Sequence, residues 1–166
     1  MHKRNSHCSF CGAPFADDQP WPRVCGNCQN ITFRNPIPVA VVLVPVESGL
    51  LMIRRGIEPR KGMLALPGGY VNFGESWQQA AAREVFEETG LPLDPAEISL
   101  FDVISAPDST VLIFGQAGPQ TRAELPNFVP TDETMEMVVL EVLEELAFPL
   151  HTRVAQTYFH QQRSGK

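Results

Sequence analysis

Apolar residues in this chain fall into blocks with different periods, and the blocks predict most of the elements. Residues 37–46 are nearly continuous Val, Ile and Leu bounded by prolines, which predicts a buried strand. Glu47-Ser48-Gly49 reads as a turn, and 50–54 as the second strand of a hairpin. A polar loop follows at 56–62 around Pro59, then a short strand at 63–66 and an irregular turn, Pro67-Gly68-Gly69. Residues 76–89 carry the strongest helix signal. Ser76 with Gln79 has the form of a capping box, Ala80 to Ala82 favour helix, and Gly90 with Pro92 marks the stop. Residues 98–106 and 110–116 predict a hairpin across Pro107-Asp108. A polar loop with three prolines spans 118–134, a strand covers 135–142, and 151–163 predicts a terminal helix. Repeats and low-complexity tracts are absent from the sequence. Strands outnumber helices, and the helices can cover sheet faces, so the expected class is an α/β sandwich.

Length and composition leave that picture intact. The 166 residues suffice for one domain plus a small appendage, and an apolar share of 43 % allows a sizeable core. The apolar run at 37–46 is too short to span a bilayer, and no secretory signal opens the sequence, so a cytoplasmic protein is expected. Charge changes the picture more. The net charge is −6, yet residues 1–34 hold Lys3, Arg4, Arg23 and Arg34 against Asp17 and Asp18, a net of +2. The remainder, at −8, is a poor partner for a nucleic-acid backbone, so nucleic acid is not the expected ligand. A small phosphorylated substrate stays open, because bound divalent cations can invert the local field.

The four cysteines come as Cys8-x-x-Cys11 and Cys25-x-x-Cys28, 13 residues apart. Two such pairs can supply four thiolates to one tetrahedral ion, and zinc suits a closed four-sulfur shell with no position left for catalysis. Free thiols or a redox pair are the plain alternatives. Gly12 and Gly26 stand where such turns need unusual backbone angles. A ribbon this small buries little core, so metal would supply its folding energy. Trp21 and Phe33 are candidates to pack it against the larger domain, in a structural role. The expected domains are 1–34 and 35–166.

The helix at 76–89 carries the other candidate chemistry. At about 100° per residue, Glu87 and Glu88 fall about 60° and 40° either side of Glu84, so three carboxylates share one face. Ala82, Val85, Phe86 and Thr89 fall opposite and predict the buried face, while Ala80 and Ala81 flank the acidic stripe. A solvated acidic face, with Arg83 pairing Glu87, is the plain reading of such a stripe. The adjacent Pro67-Gly68-Gly69 argues for more, since glycines let backbone approach closely and carbonyls could join a magnesium shell of oxygen ligands.

Written out, Gly69-x5-Glu75-x7-Arg83-Glu84-Val85-Phe86-Glu87-Glu88-Thr89-Gly90-Leu91 resembles the Nudix box at every fixed position. The resemblance extends from about residue 35 to about 146. It implies a Nudix α/β/α sandwich preceded by a small zinc ribbon, and hydrolysis of a nucleoside diphosphate linked to another group. It further implies Glu84, Glu87 and Glu88 as ligands of Mg2+ (or Mn2+), and Gly69 (or Gly68) as a carbonyl ligand. Arg83 would orient the glutamates, Glu75 would brace the loop–helix junction, and the assembly would be a homodimer. The general base is sought among Asp108, Glu133 and Glu136, with Glu136 first and Glu84 a competitor. Arg54, Arg55, Arg60 and Lys61 are candidate contacts to substrate phosphates.

A zinc ribbon before a Nudix domain is similar to two groups. NADH pyrophosphatases carry Ser-Gln-Pro-Trp-Pro-Phe-Pro after the box, and nothing after Leu91 matches it; Gln19-Pro20-Trp21-Pro22 lies before the box. Plant-type FAD pyrophosphatases resemble the chain at Asn35-Pro36, Leu66-Pro67-Gly68-Gly69-Tyr70 and Glu133-Thr134-Met135-Glu136. A dinucleotide-type substrate such as FAD, ADP-ribose or NADH, yielding AMP, is therefore expected over a nucleoside triphosphate or capped RNA. A nucleotide-sensing or nucleic-acid-binding module on the same fold is the competing class.

Overall fold

The apolar run at 37–46 is extended, but it breaks at Val44 into β3 (Ile37–Leu43) and β4 (Pro45–Val46), which join different sheets. The structure, a computed structural model, describes residues 4–164. Two compact units emerge, Met1–Pro36 and Ile37–Lys166.

In the larger unit β3 lies parallel to β9 (Thr110–Gln116), from Ile37↔Thr110 to Leu43↔Gln116. On the far side of β9, β8 (Ser99–Ser105) completes the predicted hairpin. On the other side of β3 lies β7 (Gly68–Tyr70), so the expected glycine turn is a short edge strand, paired Val39↔Tyr70 to Val41↔Gly68. The second sheet centres on β5 (Gly49–Arg55). Its full-length partner is β10 (Thr134–Leu140), while β4 and β6 (Leu64–Ala65) share its other edge. The expected hairpin of 37–46 with 50–54 thus shrinks to Pro45↔Leu50 and Val46↔Gly49 around the turn at Glu47.

Why 37–46 shows no polar alternation is now plain. Ala40, Val42, Val44 and Val46 pack with Ala80, Ala81 and Val85 of α1 (Trp77–Thr89). Val41 and Leu43 point the other way, toward Val154, Ala155 and Tyr158 of α2 (Pro149–Ser164). A strand covered on both faces has no solvent side on which to place polar residues. The result is the expected α/β/α sandwich, and truncating a fully buried side chain such as Leu43 to alanine costs about 2–5 kcal/mol.

Helix α1 begins and ends where expected. Ser76 Oγ accepts from Gln79 N–H, the Gln79 side chain accepts from Ser76 N–H, and Gly90 closes the helix at φ 77°. Its buried face is rotated from the expected one. Ala80 and Ala81 are in the core and Glu88 is only 9 % exposed, whereas Phe86 is 56 % exposed. The layer above α1 is β3, and it takes the face with the smallest side chains, where three alanines allow close approach.

Among its described residues the smaller unit has one two-stranded ladder, β1 (Arg23–Val24) with β2 (Ile31–Thr32). Trp21 packs edge-on to Phe15 within this unit, with ring centroids 6.2 Å apart, and Phe33 is 62 % exposed. Lys3, counted in the charge of this region, lies outside the described residues. Among the described residues no helix is long and apolar enough to cross a membrane.

Candidate metal centres

The cysteine pairs fold into two matching turns. In the first, Cys8 N–H donates to Ala13 O and Gly12 N–H to Cys8 O; in the second, Cys25 N–H donates to Asn30 O and Gln29 N–H to Cys25 O. The residue four after the leading cysteine takes the left-handed conformation in both, Gly12 at φ 73° and Gln29 at φ 60°. The expectation held for Gly12 and not for Gly26, which occupies the position of Ser9 and needs no special angle. The four sulfurs lie within 4.8 Å of one another, close enough to hold one metal ion. Cys8 and Cys28 approach to 3.7 Å, Cys11 and Cys25 to 3.6 Å. The N–H groups of Cys11 and Phe10 bring the Cys8 thiol down to about 6, and the Ala13 N–H and Asn27 amide lower Cys11.

The glutamates are arranged differently. Arg83 uses all five of its N–H donors. Nε and Nη2 clasp Glu75 at 3.2 and 2.7 Å, Nη2 also reaches Tyr70 O at 3.0 Å, and Nη1 bridges Glu84 at 2.7 Å and Glu87 at 3.0 Å. Glu75 also accepts from Asn72 N–H at 2.7 Å, and the Arg83 and Asn72 donors hold its carboxyl below the ordinary range. Glu88 turns inward and accepts from Gly68 N–H at 2.9 Å. Glycine is required at Gly68, where a Cβ would strike the Ala40 carbonyl, while a Cβ on Gly69 would push the Glu84 carboxylate out of its place.

Burial dominates the electrostatics of this cluster. Desolvation raises Glu84, with Arg83 opposing and Glu87 and Glu133 adding to the rise. Glu88 is pushed up to about 8, first by desolvation; the Gly68 N–H and Arg55 oppose it, while Glu84 and Glu133 reinforce it. Two desolvated carboxylates beside a close-lying glycine strand suit a hard divalent cation, which would supply the opposite charge they lack.

The remaining candidates separate. Glu136 sits opposite Arg54 across β5 and β10 and accepts from its Nε at 2.6 Å; Arg54 also donates to Gly62 O. Asp108 caps its own turn by accepting from the N–H and hydroxyl of Thr110. Glu133 acts electrostatically on both Glu84 and Glu88, and its carbonyl receives the Gly56 N–H at 2.6 Å, which joins the loops 56–62 and 118–134. Arg55 lies over the Phe148 ring at 5.0 Å and influences Glu88, while Arg60 and Lys61 are exposed. The environment of Arg55 was not legible in sequence. It includes His151, buried against Phe114 and Phe148 and held near 3 by desolvation and the Arg55 charge, with Nδ1 lacking a hydrogen-bond partner.

The NUDIX domain family matches residues 35–161. With its box and its α/β/α layers in place, the chain belongs to the Nudix family. Among curated proteins it is 36 % identical over 85 residues to an NAD-capped RNA hydrolase NudC of Edwardsiella ictaluri, covering 51 % of this chain and 33 % of that protein. The NudC of Salmonella typhi is 30 % identical over 92 residues, covering 55 % and 35 %. The chain thus spans about a third of the length of these relatives. A crystal structure of a NUDIX hydrolase from Nitrosomonas europaea superimposes with a TM-score of 0.78 at 26 % identity, covering 97 % of this chain and 94 % of that one.

Proposed function

We propose that the chain hydrolyses the pyrophosphate bond of a dinucleotide-type nucleoside diphosphate derivative, with FAD first and ADP-ribose and NADH next, releasing AMP. The observation that carries this reading is the Arg83-centred glutamate cluster backed by Gly68 and Gly69. Glu84, Glu87, Glu88 and the Gly69 carbonyl would hold Mg2+ or Mn2+. Such ions, when bound, offset the charge that develops on a phosphoryl group in the transition state.

The chain's own residues have distinct tasks. Arg83 fixes Glu84 and Glu87 relative to β7, and Glu75 fixes Arg83. Arg55, steadied on Phe148, is the proposed phosphate contact; Arg54, Arg60 and Lys61 are secondary ones. For the proton of the attacking water, Glu136 would have to release Arg54, whereas Glu133 already lies within electrostatic reach of Glu84 and Glu88. Glu133 is therefore the preferred base, ahead of Glu136 and Glu84.

Residues 1–34 are proposed as a structural zinc ribbon on Cys8, Cys11, Cys25 and Cys28, and 35–166 as the hydrolase domain. Metal-binding thiols suit a reducing, cytoplasmic setting. A homodimer follows from the family resemblance. The named relatives motivate a second reading, hydrolysis of an NAD cap on RNA.

Specificity constants for FAD, ADP-ribose, NADH, NAD-capped RNA and a nucleoside triphosphate, measured side by side with magnesium, test both. FAD, ADP-ribose or NADH should lead. A triphosphate or capped RNA favoured more than tenfold over all three would overturn the substrate reading, and absence of magnesium-dependent release from every compound would overturn the hydrolase.

A further inference from the structure

From the cysteine-bearing unit we infer that a cavity separate from the glutamate cluster binds a phosphate group. The cavity has a volume of about 110 Å3, and Arg4, Arg23, Arg34, Phe15, Trp21 and Asp17 line it. This unit's described residues contain three Lys or Arg side chains, and all three face this one space. Three cations scattered at random over a small surface would seldom converge in this way.

The arginines divide into a fixed floor and two free arms. Arg23 is the floor: its guanidinium lies 4.6 Å from the Trp21 ring centroid and 5.5 Å from that of Phe15. Its donors reach the main-chain carbonyls of Gln19 at 2.8 Å and of Asn5 and Asp17 at 3.5 Å. Carbonyls orient this group without neutralising it. The described residues include no ion pair to Arg4, Arg23 or Arg34, and the Asp17 carboxylate borders the cavity without closing on any of them. Three positive charges therefore share one concavity with no anion among the described residues within 4 Å.

Guanidinium groups on a rigid aromatic floor match the planar, multi-donor recognition of phosphate oxygens. The volume admits one phosphate group with its first waters. A phosphate monoester and one link of a single-stranded nucleic acid present the same chemistry, and the Trp21 and Phe15 rings that line the cavity offer aromatic surface to an attached base. The −8 charge of the remaining chain makes the location selective, since an anion is repelled elsewhere until cations are added.

Fluorescence anisotropy of a 5′-labelled ten-nucleotide single-stranded RNA on the full chain tests this, with Glu87→Gln present throughout to prevent turnover and zinc content checked in every variant. Inorganic phosphate and AMP serve as competitors. Arg4→Gln/Arg34→Gln should weaken binding about tenfold and lower the salt slope by about 0.7, the value for one lost phosphate contact on a single strand. Arg34→Lys, which keeps the charge, should retain most of the binding. Arg153→Gln/Arg163→Gln removes equal charge from α2 and should bind as the parent does. Displacement by phosphate or AMP assigns a single phosphate group as the ligand; displacement by RNA alone assigns the polynucleotide. Failure of all probes to bind, unchanged binding in Arg4→Gln/Arg34→Gln, or an equal loss in Arg153→Gln/Arg163→Gln overturns the inference.

Discussion

The two candidate metal centres differ in how nearly their own chain completes them. The four cysteine sulfurs already lie within 4.8 Å of one another, fixed by paired turns whose N–H groups point at sulfur. The three box glutamates diverge: two lean on Arg83, and the third turns inward to Gly68. Thiols can be neutral and can donate to one another, so they tolerate crowding. Ionised carboxylates only accept hydrogen bonds, so each needs a donor or a cation. A closed sulfur shell suits a permanent ion, while separated oxygen ligands suit ions that arrive with a phosphate and keep open positions.

Breaking the oxygen side should have the largest effect. Glu87→Gln is expected to lower turnover at least about a hundredfold, because an amide is a poor magnesium ligand. Its fold should survive, since Glu87 is exposed and one of its like-charged neighbours is relieved. Near-normal turnover at saturating magnesium would remove Glu87 from the ligand set.

Breaking the sulfur side should have a local effect. Protein purified without added metal should carry about one zinc per chain, and Cys25→Ser should lose it together with the ordered amide signals of the first unit. Signals of the larger unit should stay dispersed. Four freely titrating thiols in the metal-free natural sequence, with the unit still folded, would count against zinc.

Acidity sharpens the contrast further. Glu88 is raised from 4.5 to about 8, so the folded state binds its proton more tightly than the unfolded state does. Stability from this group is present below pH 4.5 and is lost as pH rises toward 8, on the order of 3–5 kcal/mol. Glu88→Gln or added magnesium should flatten this alkaline limb of the melting temperature. His151 works in the opposite direction. It is lowered from 6.5 to about 3, so its contribution holds above 6.5 and is lost as pH falls toward 3. His151→Phe should flatten the acid limb alone. Identical pH–Tm curves for all three proteins would contradict both assignments.

The smallest effect belongs to Glu136. Its ion pair with Arg54 is half exposed, so Glu136→Gln should cost less than about 1 kcal/mol of stability. Glu133→Gln should lower turnover at high pH by more than Glu136→Gln does. The reverse order would return the base to Glu136.

Elements with a strong local cause were legible in the sequence. Ser76, Gln79 and Gly90 define the ends of α1 through bonds no more than four residues apart, and the cysteine turns are equally local. What escaped was set by distant partners. Nothing within 37–46 signals that the chain changes sheets at Val44, because both pieces are apolar for different neighbours. Helical period alone puts Phe86 on the buried face and Ala80 and Ala81 beside the acidic stripe, because it ranks faces without saying which face the sheet will choose. Arg54, which stands directly across the ladder from the base candidate Glu136, is a partner that only the strand register brings to it. The Arg55, Phe148 and His151 cluster joins three segments far apart in sequence and left no local trace.

The passage from β3 to β4 has a consequence for how such a chain can diverge. One unbroken backbone sets the phase of both sheets, so deleting a single residue between Ala40 and Val46 would turn Val-for-Val the α1-facing side chains toward α2 in one sheet and displace the β5 register in the other. Length changes are therefore confined to places such as 56–62 and 118–134, which hang from the sheets by a few bonds. New substrate walls can be tried there by insertion while the glutamate helix keeps its seat.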